Sequence, residues 1–148
     1  MGNKIHILNG PNLNLLGTRE PDIYGSQTLQ DIENLCQEKC DAHGLKLEFS
    51  QSNDEGALVD LIQASSNDAS ALIINAGAYT HTSIAIHDAL KSLTLLTFEV
   101  HLSNIFAREI FRPPSYLTPF AMAVSCGFGS QGHFLTLDAS ALFYISIS

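Results

Sequence analysis

Short apolar runs alternate along the chain with longer stretches in which apolar residues recur at helical spacing. The short runs predict strands, and the longer amphipathic stretches predict helices. We place the strands at residues 5–8, 45–49, 71–74, 95–100 and 121–124. We place the helices at residues 28–43, from about 52 onward, at 83–92, at 104–109 and from 131 to about 147.

Strands and helices therefore alternate with short links, which predicts a parallel sheet covered by helices on both faces. Five strands favour a flavodoxin-like three-layer α/β sandwich with the strand order 2-1-3-4-5. The second strand alternates strictly between apolar and polar residues, which fits the edge place that this order gives it. A chain of 148 residues suits one domain, spanning 1–148.

Local signals support these helix boundaries. Thr28 followed by Asp31 resembles a capping box, and Gly44 stands where a helix C-terminus favours glycine. Ser52 with Glu55 is a second capping-box candidate, opening a helix whose apolar face carries Leu58.

Charge and composition narrow the classes of function. Seven basic against 15 acidic residues give a net charge of −8, which disfavours a nucleic-acid partner. The N-terminus lacks the pattern of a secretory signal, and no uninterrupted apolar stretch is long enough for a membrane span. Three cysteines without CxxC spacing indicate reduced thiols in a cytoplasmic protein. Cys36 and Cys40, one helical turn apart, suit core packing better than a soft metal.

Candidate chemistry lies where the strands end, because ligands of parallel α/β sheets bind outside the carboxyl ends of the strands. Asn12 follows the first strand, and Asn75 and His81 follow the third. Glu99 and His101 stand at the end of the fourth strand, in otherwise apolar surroundings. Strands one, three and four are neighbours in the predicted order, so these side chains are expected to share one crevice.

The arginines add an expectation of an anionic ligand. Arg19 follows the first strand, and Arg108 and Arg112 follow the fourth. The stretch 17–27, which carries Arg19 and Tyr24, is too long for a tight connection between a strand and a helix. It predicts a mobile lid, with a surface loop whose Tyr24 packs on the rim as an equal alternative.

Several common motifs are absent. The chain has no GxGxxG after its first strand, no GxxxxGK[ST] and no GxSxG, which disfavours dinucleotide-binding proteins, P-loop enzymes and α/β-hydrolases. A zinc site is conceivable from a set of histidines and carboxylates, but their spacing matches no zincin pattern: His81, His87, Asp88, Glu99 and His101.

Several motifs in register carry a family resemblance. They are LNGPNLNLLG at 8–17, REP at 19–21, YG at 24–25, QSN at 51–53, NAG at 75–77, THTS at 80–83, EVHLSN at 99–104, RE at 108–109, FR at 111–112 and SY at 115–116. Together they cover nearly the whole chain, which closely resembles the type II 3-dehydroquinate dehydratases.

The resemblance implies a shikimate-pathway lyase that converts 3-dehydroquinate to 3-dehydroshikimate by trans elimination through an enolate, without cofactor or metal. It implies that Tyr24 is the general base, that Arg19 favours the tyrosinate, and that His101 is the general acid. Chemistry adds two expected roles: Asn12 helps to hold the enolate charge, and Glu99 orients His101.

The resemblance also implies substrate contacts and an assembly. The substrate-binding residues would be Asn75, His81, Arg112 and the backbone of Leu102 and Ser103. Asp88 would reach the site of a neighbouring subunit, since members of this family assemble as dodecamers built from trimers.

Three alternatives remain to be tested. One is a non-catalytic module of the same fold that binds a small anion, and another is a metal-dependent hydrolase built on the histidine and glutamate cluster. A Schiff-base route needs a lysine in the crevice. It is disfavoured because no lysine stands at the carboxyl end of a predicted strand: Lys4, Lys39, Lys46 and Lys91.

Overall fold

Parallel strands form a single sheet in the order β2-β1-β3-β4-β5. The computed structural model describes residues 2–18, 21–107 and 114–147, and the side chains of all of these except 23, 24 and 144–147. The strands are β1 (Lys4–Asn9), β2 (Lys46–Gln51), β3 (Ala69–Asn75), β4 (Leu96–His101) and β5 (Ala123–Cys126).

Helices cover both faces of the sheet. They are α1 (Pro21–Tyr24), α2 (Leu29–Ala42), α3 (Glu55–Ser65), α4 (Ile84–Lys91) and α5 (Gln131–Ile147). Short 3₁₀ helices lie at Leu13–Leu15, Gly77–His81, Ile105–Ala107 and Thr118–Phe120. Among the described helices, none is both long and apolar enough to cross a bilayer.

Two apolar clusters hold the layers together, one on each face of the sheet. Ile7 and Phe98 pack with Cys36 of α2 and Leu137 of α5 on one face. The other cluster joins the opposite face of the sheet to α3 and α4, through Leu8, Leu72, Leu58 and Leu90. Each fully buried side chain of this size stabilises the fold by about 1.5–3 kcal/mol. The sheet is therefore a rigid platform for the loops at its ends.

The predicted architecture is confirmed, including the strand order and the edge place of β2. The capping box at Thr28 is also confirmed: Asp31 N–H donates to the Thr28 hydroxyl at 3.1 Å, and Thr28 N–H donates to the Asp31 carboxylate at 3.0 Å. Gly44 has a φ of 69°, as its predicted C-terminal position requires.

The predicted starts of helix α3 and strand β5 were wrong. The N-cap of α3 is Asp54, whose carboxylate accepts from Ala57 N–H at 2.7 Å, and not Ser52. The fifth strand begins two residues later than predicted, at Ala123. A 3₁₀ turn at Thr118–Phe120, favoured by Pro119, occupies the chain up to Ala121, so pairing with β4 starts only beyond it.

Two connections also differ in detail from the prediction. The stretch 17–27 contains the short helix α1, so it is not a loop throughout. The predicted helix at 104–109 is a 3₁₀ helix at Ile105–Ala107, and residues 108–109 lie outside the described residues.

Candidate functional site

The loops that follow β1 and β3 approach each other closely at the carboxyl edge of the sheet. Gly10 N–H donates to the Asn75 carbonyl at 2.7 Å. A Cβ on Gly10 would lie 2.4 Å from the Ala76 carbonyl oxygen, and one on Gly77 would lie 3.1 Å from that of Pro11. Glycine at these positions therefore lets the two backbones meet, which brings Asn12 and Asn75 to the same edge.

Asn12 adopts a left-handed backbone conformation, with a φ of 69°. Asparagine tolerates this conformation better than most residues. Asn53, from the loop after β2, accepts a hydrogen bond from Asn12 N–H on its side-chain oxygen at 2.9 Å. Gln51 donates to the same oxygen at 3.1 Å and to the Gly10 carbonyl at 3.2 Å. A neighbouring strand thus fixes the conformation of the Asn12 loop.

Glu99 and His101 form a buried acid–base pair on one face of β4. Glu99 is 0% exposed and His101 4%, and His101 Nε2 lies 2.6 Å from Glu99 Oε1. The Ser115 and Thr118 hydroxyls also donate to this carboxylate, at 2.5 and 2.6 Å. Burial alone would raise the pKa of Glu99. The hydrogen bonds from His101 and the two hydroxyls outweigh it and hold the pKa below its usual range.

This geometry assigns different tasks to the two nitrogens of His101. An ionised carboxylate can only accept, so Nε2 is the nitrogen that donates to Glu99. Nδ1 is therefore the nitrogen that can exchange a proton with a ligand. The pair can act as a general acid whose positive charge is balanced by Glu99.

The other predicted binding residues lie at the end of β3 or in the segments that follow β3 and β4. Asn75 is buried at the end of β3, and its side-chain oxygen accepts from Gly77 N–H at 3.2 Å. His81 is buried at the end of the following 3₁₀ helix. Leu102 and Ser103, both half-buried, directly follow His101.

The predicted residues are not all brought together. Asp88 lies on the exposed face of α4, where its carboxylate contacts His87 Nδ1 at 3.0 Å. Tyr24 ends α1, but its side chain lies outside the described part of the structure. Arg19, Arg108 and Arg112 are also outside the described residues. The roles expected of them stay predictions.

The metal and Schiff-base alternatives depend on where their candidate residues lie. Within them, no group of three or more histidine, cysteine, aspartate or glutamate side chains could hold a metal ion. Lys4 and Lys46 begin β1 and β2, so they lie at the amino ends of the strands, whereas His101 lies at the carboxyl end of β4. Lys39 pairs with Asp138 at 2.8 Å.

Asn53, Ser115 and Thr118 had no predicted role. Asn53 and Ser115 belong to motifs that carry the resemblance, but nothing in those motifs states what they contact. One signal was available: a carboxylate in an apolar central strand needs several donors, and hydroxyl residues in the next loop can supply them.

Together, the flavodoxin-like sheet and the buried carboxylate–imidazole pair at its carboxyl edge define an α/β protein built for acid–base chemistry. A family model described as class II dehydroquinase matches residues 3–141. The chain therefore belongs to the class II dehydroquinase family.

Individual relatives agree with this assignment. A 3-dehydroquinate dehydratase from Dinoroseobacter shibae is 59% identical over 134 residues, covering 90% of this chain and 89% of the relative. One from Azorhizobium caulinodans is 56% identical over 141 residues, covering 95% of each chain. The crystal structure of a type II dehydroquinase from Propionibacterium acnes is similar with a TM-score of 0.90 at 39% identity, covering 96% of this chain and 98% of that one.

Proposed function

We propose that this chain is a hydro-lyase that dehydrates 3-dehydroquinate to 3-dehydroshikimate through an enolate. Family membership and the names of its relatives support the reaction. The observation that carries the proposal is the fully buried Glu99–His101 pair at the carboxyl edge of the family's fold.

The first step needs a base that removes a proton beside a ketone, and we assign it to Tyr24. A free tyrosine has a pKa of about 10, so a tyrosinate near neutral pH needs about 3–4 kcal/mol of differential stabilisation for a shift of two to three units. Arg19, five residues before Tyr24 in the same connection, is the cation that would supply it in a site shielded from water.

The second step expels a hydroxyl, and we assign the general acid to His101. Its Nδ1 donates the proton that leaves with the hydroxyl as water, while Nε2 stays bonded to Glu99. The buried carboxylate stabilises the imidazolium before transfer and keeps the ring oriented. Asn12, held by Asn53 at the same edge, would stabilise the negative charge that develops on the enolate oxygen.

Substrate binding is assigned to polar groups at the carboxyl edge and to one arginine. The backbone N–H groups of Leu102 and Ser103, which directly follow His101, would bind a carboxylate of the substrate. The proposed substrate-binding residues are Asn75, His81, Leu102, Ser103 and Arg112, with Asp88 from a neighbouring subunit.

We propose further that residues 17–27 form a lid over this edge. Gly17 and Gly25 have φ values of 86° and 81°, and they flank α1 on both sides. Closure would bring Arg19 and Tyr24 to the substrate together and exclude water.

We propose further that the chain forms a homododecamer built from four trimers and that it is located in the cytoplasm. Of the 17 residues of α5, Asp138 alone is charged, and the helix exposes Leu135 and Leu142 at 52% and 66%. A helix that is apolar around its circumference is normally covered, which supports association. The three free cysteines support a reducing compartment.

A spectrophotometric assay tests the function, because the product is a conjugated enone and the substrate is not. We expect purified protein to produce the enone absorbance from 3-dehydroquinate. Tyr24→Phe should lose turnover by about 10²–10⁴-fold, the range typical of a general base, and retain substrate affinity. Absence of enone formation by the wild type, with binding intact, would instead establish a non-catalytic anion-binding module.

A further inference from the structure

Glu99 carries more hydrogen bonds than an orienting partner for one histidine requires. His101 Nε2 and the Ser115 hydroxyl both bond to Oε1, at 2.6 and 2.5 Å. Oε2 accepts from the Thr118 hydroxyl at 2.6 Å, the one donor to that oxygen among the described residues. Both hydroxyls come from the segment 115–118, which lies between β4 and β5.

We propose that Thr118, together with Ser115, is a positioning residue for the acid step, fixing the Glu99 carboxylate so that it orients His101. The inference rests on the proposed function and deepens it, since neither hydroxyl is assigned contact with the substrate. Both act through Glu99.

The directions of these hydrogen bonds indicate that the two hydroxyls hold Glu99 as an ionised carboxylate. Ser115 Oγ accepts from the N–H groups of Leu117 and Thr118, at 3.0 and 3.3 Å, so its own proton is directed to Glu99. A charged acceptor shortens and strengthens each of these bonds. Without them, a carboxylate that is 0% exposed would be driven towards its neutral form.

The same segment is tied to the substrate-binding side of the crevice. Tyr116 N–H donates to the Thr80 carbonyl at 2.9 Å, and Thr80 directly precedes His81. This bond fixes the position of segment 115–118, which holds Glu99, relative to the segment that carries His81. A shift of either segment would change the distance between the acid and the binding residues.

Within the described part of the chain, few other charges face Glu99 and could replace the hydroxyls. Its register partners are apolar, Ile74 on β3 and Val124 on β5. Among the described residues, His101 is the titratable group that acts on it, and the remaining contacts are the hydroxyls of Ser115 and Thr118. Removing the Thr118 hydroxyl therefore leaves Glu99 Oε2 without a donor from the described residues.

Thr118→Val tests this role because it removes the hydroxyl and keeps the branched shape. Thr118 is itself exposed, so the substitution leaves the core intact. The control is Thr118→Ser, which keeps the hydroxyl and removes only a methyl group. Both are compared with the wild type in pH profiles of kcat and KM, and by isotope-edited infrared spectroscopy of the glutamate carboxyl groups with Glu99→Gln as the assignment reference.

In Thr118→Val, the acid limb of the kcat profile should move to higher pH by about one to two units, because Glu99 loses a hydrogen bond that favours its ionised form. This shift corresponds to a 10–100-fold change in the ionisation constant of Glu99. KM should change by less than about twofold, because the substrate contacts are untouched. Thr118→Ser should restore the wild-type profile. The infrared band of the protonated Glu99 should appear at correspondingly higher pH in the valine variant alone.

Two outcomes would overturn the inference. One is an unchanged acid limb and an unchanged Glu99 band in Thr118→Val. The other is equal damage by valine and serine at every pH, which would indicate a packing role. The infrared comparison needs no turnover, so it decides the inference even if the wild type forms no enone. That last result would refute the proposed function separately.

Discussion

His133 on α5 is a buried histidine, and its burial favours the neutral form of the ring. It is 1% exposed, and its Nε2 lies 3.2 Å from the Asn9 side-chain oxygen. The Asn9 amide donates to the Ser50 carbonyl at 3.3 Å, which directs its oxygen to His133, so Nε2 carries the proton. Nδ1 is buried and has no hydrogen-bond partner among the described residues, so a second proton there would be an unsatisfied buried donor.

Burial accordingly lowers the pKa of His133 to about 4. The unfolded chain takes up a proton near pH 6.5, whereas the folded protein does not until about pH 4. The contribution to stability is therefore intact above pH 6.5 and is lost as the pH falls from there to about 4. At 1.36 kcal/mol per unit, the full loss is about 3 kcal/mol in the free energy of unfolding.

Urea unfolding followed by circular dichroism, at fixed protein concentration between pH 7.5 and pH 4, measures this loss. Other groups act in the same direction, since the pKa values of His6, Glu99 and Asp138 are also lowered. His133→Gln isolates the histidine, because glutamine keeps a donor for Asn9 and does not titrate. The wild type should lose about 3 kcal/mol more than this variant over the range.

Parallel curves for the wild type and His133→Gln would refute the reasoning. They would mean that His133 is protonated in the folded protein with an ordinary pKa, and that Nδ1 finds an acceptor. An excess loss in the variant would contradict the sign of the linkage altogether.

The remaining predictions concern backbone contact, thiols and the reaction route. Gly10→Ala should destabilise the fold by about 1–3 kcal/mol and lower kcat, because its Cβ meets the Ala76 carbonyl at 2.4 Å. Gly56→Ala, in helix α3, should stabilise the fold by about 0.5–1 kcal/mol, because its Cβ would lie 3.4 Å from the Asp54 carboxylate, an ordinary contact distance. Thermal unfolding measures the stability of both variants. Burial raises the pKa values of Cys36 and Cys40 to about 12 and 11, so a disulfide reagent at pH 8 should titrate one thiol, Cys126, in the native protein and three after unfolding. Turnover should persist in excess chelator and after borohydride with substrate, and inactivation by borohydride would contradict the enolate route.

Much of the architecture could be predicted from the sequence because its signals are local or periodic. Helix α2 is bounded by its capping box and Gly44, and the alternation of strand two identified an edge. The start of strand five was wrong because its residues, AMAV, look apolar throughout. The turn at Pro119 comes first, and only beyond it does Met122 N–H donate to the Thr97 carbonyl, so pairing with β4 begins later than the apolar run suggests.

The site could be predicted only in part, for a related reason. Glu99 and His101 stand out as polar residues in an apolar strand, and topology places them beside Asn75. Thr118 lies 19 positions from Glu99, and its role depends on how the intervening loop returns to the sheet. Spacing along the chain does not indicate which loop residue will contact Glu99. The sequence can indicate only that a buried carboxylate needs donors, which is a general rule.

The four lysines all lie towards the amino ends of the strands. Lys4 and Lys46 begin their strands, and Lys39 and Lys91 lie near the ends of helices that lead into β2 and β4. Reagents that acylate primary amines therefore attach to the side of the protein remote from His101. Coupling through these amines to a resin or an electrode orients the protein with its reactive end outward, and a fluorophore added in this way reports on the molecule without obstructing the crevice.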